Sequence, residues 1–65
     1  MLGKEYSAVY KNRSNTMINY GQTGRAVYDG AGVFVFYPHG EDWRTHVFKE
    51  DLYFGPPDVV TRLGL

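Results

Sequence analysis

The chain has 65 residues, no cysteine, and seven basic side chains against seven acidic ones. Such a length holds one domain, near the lower limit of independent folding. The missing thiols exclude disulfides and thiolate metal sites, and a net charge of zero argues against a generic polyanion binder, whose affinity rests on excess cations.

Gly, Asn and Pro cut the chain at short intervals, and the segments between them are rich in β-branched and aromatic residues. That pattern predicts short strands joined by tight turns. Glu5 to Tyr10 reads as a first strand, with Tyr6, Ala8 and Tyr10 on one face and Ser7 and Val9 on the other. Asn12-Arg13-Ser14-Asn15 is a polar turn, and Thr16 to Tyr20 reads as a second strand. Gly21-Gln22-Thr23-Gly24 breaks the chain again before a third strand, Arg25 to Tyr28, which sets Ala26 and Tyr28 on one face. Asp29-Gly30-Ala31-Gly32 carries the strongest turn signal, because Asp-Gly tolerates the positive φ of tight hairpins.

Val33 to Tyr37 is a continuous apolar run, apolar on both faces, expected to be a central strand or to have one face covered by something outside the chain. Pro38 ends it, since proline cannot donate to a ladder, and His39 to Asp42 is a loop. Trp43 to Phe48 reads as a strand with Trp43, Thr45 and Val47 on one face. Lys49 to Leu52 suits a single 3₁₀ turn, and Gly55-Pro56-Pro57 is rigid and non-regular. The end, Asp58 to Leu65, reads as a closing strand or irregular chain; a short helix from Pro57 to Gly64 is the alternative. No repeat or linker interrupts this single domain, residues 1–65. Five or six short strands in so small a chain close most economically into an all-β barrel, because closure removes exposed edges.

Part of this pattern resembles a known family. Gly21-Gln22-Thr23-Gly24-Arg25-Ala26-Val27 is similar to the turn that opens many SH3-like barrels of the KOW type. Val33-Phe34-Val35-Phe36 follows, and Val47 to Leu52 looks like the ending often seen in such barrels. The resemblance runs from Tyr20 to Tyr53, about half the chain. It implies a small antiparallel barrel that binds RNA, DNA, ribosomes, transcription complexes or peptides. The basic residues usual around those glycines are reduced here to Arg25, with Asp29, Glu41 and Asp42 nearby.

Chemistry-bearing residues are sparse. Ser7 and Ser14 lie in no nucleophile-elbow pattern, and the adjacent acids Glu41, Asp42, Glu50 and Asp51 read as solvated loop charges. His39 and His46 have no tight ligand spacing. No catalytic residue, metal or cofactor is therefore expected. No apolar run approaches the roughly 20 residues of a membrane helix, and Met1 to Glu5 lacks the apolar core of a signal peptide. The expected location is cytoplasmic, with no membrane partner.

Two surfaces remain as binding candidates. The first half of the chain sets Lys4, Lys11, Arg13 and Arg25 against Glu5 alone, interleaved with Tyr6, Tyr10, Asn12 and Asn15. Folded as a basic N-terminal hairpin, this stretch would suit phosphates and bases; Arg44, His46 and Lys49 form a second, smaller basic group. The other candidate is aromatic. Eleven rings exceed what a small barrel encloses, so several of Tyr20, Tyr28, Phe34, Tyr37, Trp43, Tyr53 and Phe54 must reach a surface. Phe34, Phe36, Tyr37, Trp43, Arg44 and Tyr53 are the expected interface residues, since Tyr, Trp and Arg are the usual anchors. The leading expectation is a non-enzymatic module binding another protein or itself as a homo-oligomer, of a size that fits a phage-type modulator of a host protein. Nucleic-acid binding is the alternative.

Overall fold

The computed structural model describes residues 3–55. Five antiparallel strands form one curled half-barrel: β1 (Glu5–Tyr10), β2 (Thr23–Gly30), β3 (Val33–Pro38), β4 (Thr45–Phe48) and β5 (Leu52–Phe54), with a 3₁₀ turn, Lys49–Asp51, before β5. Their order is β4-β3-β2-β1-β5, an all-β arrangement compatible with an SH3-like barrel.

Alternation along each strand decides what the concave face holds. Register sets Tyr6 opposite Ala26, Ala8 opposite Gly24 and Phe54, and Tyr10 opposite Leu52. Ala26 faces Phe36, Tyr28 faces Phe34, and Phe34 faces Val47. The buried core of Ala8, Tyr10, Ala26, Phe34, Phe36, Val47 and Leu52 thus comes from one face of all five strands. Its faces agree with the alternation expected on β1, β2, β3 and β4. Ile18 completes it from outside the sheet, and Trp43 packs against it.

Gly24 lets β3 approach β2. A Cβ there would lie 2.4 Å from the Tyr37 carbonyl oxygen and 2.8 Å from the Phe36 ring. The β2–β3 connection has an irregular register between Tyr28 and Gly30. It then holds three successive residues at positive φ: Gly30 at 93°, Ala31 at 55° and Gly32 at 75°. The turn expected at Asp29–Gly32 is narrower, Ala31–Gly32, because Asp29 and Gly30 extend β2, and the strained position falls on alanine.

Three expectations are corrected. Thr16–Tyr20 is not a strand but part of a loop, Lys11–Gln22, between β1 and β2. There Asn15 Oδ1 accepts hydrogen bonds from the backbone N–H groups of Met17 (2.7 Å) and Ile18 (3.3 Å). A side chain that binds local backbone offers a competitor to any ladder. The loop closes at its base where Tyr10 N donates to Gln22 O and Gly21 N donates to Tyr10 O. The strand expected from Trp43 begins at Thr45. Leu52, expected as the end of the 3₁₀ turn, instead begins a strand with Tyr53 and Phe54, for which no element is expected, through pairing with β1. The expectation for Asp58 to Leu65 lies outside the described residues.

Candidate functional site

Four of the five strands carry a ring toward the same place. Tyr6 opens β1, Tyr28 lies near the end of β2, Phe34 near the start of β3, and Phe54 closes β5. Antiparallel pairing brings these four ends together. Tyr28 and Phe34 are cross-strand partners, with ring centroids 5.1 Å apart. Phe34 lies 5.2 Å from Phe54 and 6.1 Å from Tyr6, while Tyr6 meets Phe54 edge-on at 5.4 Å. Tilted and T-shaped contacts of this kind are favourable between aromatic quadrupoles.

These rings line an open cleft of about 600 Å³, together with Gly32 and Lys49. Phe34 forms its floor at 6% exposure, and Tyr6 (38%) and Phe54 (36%) form its walls. The volume lies in the range of pockets that take organic ligands, roughly 300–1,000 Å³. Its edges are fixed by backbone bonds: Lys49 N donates to Gly32 O at 2.8 Å, and Tyr28 N donates to Lys4 O at 2.9 Å. Lys49 lies in the lining, the backbone of Lys4 is tied at the same end, and among the described residues no carboxylate is in the lining. The chemistry available is apolar contact, π faces, the two phenol hydroxyls and positive charge at the rim.

A second, smaller groove of about 440 Å³ lies beside Ser7, Thr23, Arg25, Tyr37 and His39. Its cation is already engaged. The Arg25 guanidinium lies 4.4 Å over the Tyr37 ring, and its Nη1 is 3.1 Å from Glu5 Oε1.

The six residues expected at an interface are divided by the fold. Phe34 belongs to the cleft, but Phe36 is 0% exposed and wholly core. Tyr37 lies under Arg25 on the convex face, where Tyr53, paired with Val9, also lies. Trp43 packs on the core, and its Nε1 donates to Glu41 Oε2 at 3.3 Å. Arg44 is exposed just before β4. Tyr28 and Phe54 are among the rings expected to reach a surface, while Tyr6 was marked by the alternation of β1 and as a stacking ring of the basic stretch.

The cations Lys4, Lys11, Arg13 and Arg25 do not converge. Lys4 and Lys11 flank opposite ends of β1, roughly 20 Å apart at the rise of an extended chain. Arg13 lies 3.7 Å over the Tyr20 ring in the Lys11–Gln22 loop, and Arg25 pairs with Glu5. Because Thr16–Tyr20 is loop, the next strand after β1 is β2, which pairs with it antiparallel and carries Arg25. His46 is 3.3 Å from Asp29, both exposed. Among the described residues no three His, Asp or Glu side chains gather into a metal-sized group, and no helix is long and apolar enough to cross a membrane.

Comparison with known proteins returns no matching family model, no matching curated protein and no matching solved structure.

Proposed function

We propose that this chain is a non-enzymatic binding module that engages another protein through the aromatic cleft. The observation that carries this reading is the convergence of Tyr6, Tyr28, Phe34 and Phe54 on one open cleft. Large rings left accessible together, instead of scattered, mark interaction sites. Tyr and Phe are also enriched at the buried centres of protein interfaces. A cleft open on one side suits a side chain projecting from a larger body better than it suits a small molecule, which pockets enclose by 70–90% or more.

Protein is favoured over nucleic acid because the described cations are dispersed, with Arg13 and Arg25 stacked on tyrosines. A single-strand binder tracks its ligand with a continuous positive groove. This reading keeps the chain among SH3-like barrels of the KOW type through the Gly21–Val27 turn into β2, with protein in place of nucleic acid as partner.

The test is a peptide-display selection on the intact chain, counter-screened with Phe54→Ala and with Phe48→Ala, whose ring is exposed on the convex face. Peptides lost with Phe54→Ala and kept with Phe48→Ala are the expected result. A selection that yields nothing, or peptides indifferent to Phe54, overturns the reading. Sedimentation of the free protein separates self-association: a dimer abolished by Phe54→Ala would make the partner a second copy.

A further inference from the structure

The lining of the cleft also constrains what kind of segment enters it. Resting on the reading above, we infer that the partner is an acidic peptide segment that inserts one aromatic or branched aliphatic side chain between Tyr6, Phe34 and Phe54 and sets carboxylates against Lys49.

Four aromatic faces around one space could in principle cage a cation, since their quadrupoles present negative potential. Here Lys49 is part of the same lining and, among the described residues, no acid in that lining opposes it. A cationic guest would be repelled at the rim and find no counter-charge within. An apolar guest meets the rings without that conflict. A carboxylate beside the anchor meets Lys49, and Lys4 is held at the same end by the bond of its carbonyl to Tyr28 N.

Among the described residues, three acids near this end are engaged elsewhere. Glu5 pairs with Arg25 and Asp29 with His46, both on the convex side. Asp51 accepts from Asn12 Nδ2 at 3.0 Å and from Phe48 N at 3.3 Å. Glu50, exposed, follows Lys49 but is not in the lining. The rim therefore favours acidic approach, and rim charges act mostly on association rate and partner choice. The division of labour is apolar depth for affinity and positive rim for selection.

The experiment is a backbone amide NMR titration of the intact chain with three blocked peptides. The first has a central Trp-Leu pair flanked by glutamates. The second replaces the glutamates with lysines, and the third replaces Trp-Leu with Gly-Gly. The expected result is that the first peptide alone shifts Tyr6, Tyr28, Gly32, Lys49 and Phe54. Lys49→Glu, a change at an exposed side chain, should weaken that peptide roughly fivefold or more and favour the lysine-flanked one. Phe54→Ala should weaken it by roughly tenfold or more.

If the lysine-flanked peptide binds the cleft of the unaltered chain as well as the acidic one, the charge inference fails while the protein-binding reading stands. If none of the three moves cleft residues, both fail. If a single-stranded oligonucleotide shifts the same residues more strongly than the acidic peptide does, the inference gives way to a nucleic-acid partner.

Discussion

At the Tyr10 end of the sheet, the connection between strands is the loop Lys11–Gln22, which carries Ile18 into the core. At the Tyr6 end, the connection is Gly30-Ala31-Gly32, which holds no side chain larger than a methyl group. The first end is plugged and further tied by Asn15 Nδ2, which donates to the Tyr10 hydroxyl at 2.8 Å. The second is left as a cleft walled by rings. A chain this short has few side chains to spare for closing a barrel, so the bulk of its connectors decides which end becomes core and which stays accessible. Stability should therefore depend most on the plugged end, and binding on the open one.

Substitutions can break or sharpen that contrast. Ile18→Ala removes the plug and should cost about 3 kcal/mol, read as a lower urea midpoint followed by Trp43 fluorescence. A loss below about 1 kcal/mol would show that the loop does not close the core. Gly24→Ala should cost about 2 kcal/mol, because the new methyl meets backbone and ring and overpacking forces strands apart. Phe54→Ala should lower stability by only about 1 kcal/mol, the scale of its aromatic pairings, while abolishing capture of peptides selected on the cleft. A cost as large as that of Ile18→Ala would place Phe54 in the core. Smallest, Ala31→Gly should raise stability by about 0.5 kcal/mol: relief of an alanine at positive φ exceeds the added entropy of the unfolded chain. Unchanged or lower stability would mean that the turn holds no such strain.

Much of the fold was legible strand by strand. The alternation of Tyr6, Ala8 and Tyr10 and the apolar run from Val33 stand where the residues place them, and the turns expected at Asp29–Gly32 and Lys49–Leu52 are present in narrower form, at Ala31–Gly32 and Lys49–Asp51. The Thr16–Tyr20 error arose because Met17, Ile18 and Tyr20 look strand-like, whereas Asn15 bonds the backbone of the next residues. β5 escaped because three residues carry too little pattern, and only pairing with β1 makes them a strand. The cleft was the least legible part. Its rings come from four strands, and their meeting depends on register, which couples Tyr28 to Phe34 and Ala8 to Phe54. The local signal was present in the faces assigned to Tyr6 and Tyr28, but nothing along the chain ties those faces to residue 54.

The carboxylate of Asp51 has a consequence for how this protein meets other sheets. Lys49 N bonds to Gly32 O, so by antiparallel alternation the N–H groups of His46 and Phe48 turn away from β3. Asp51 Oδ2 occupies the one at Phe48. The four-residue edge of β4 is left with a single outward amide, at His46. Such an edge is too short and too well capped to recruit a foreign strand, which is how sheet proteins avoid stacking into aggregates. The chain can thus leave a hydrophobic mouth open to partners while keeping this border of its sheet closed to uncontrolled polymerisation.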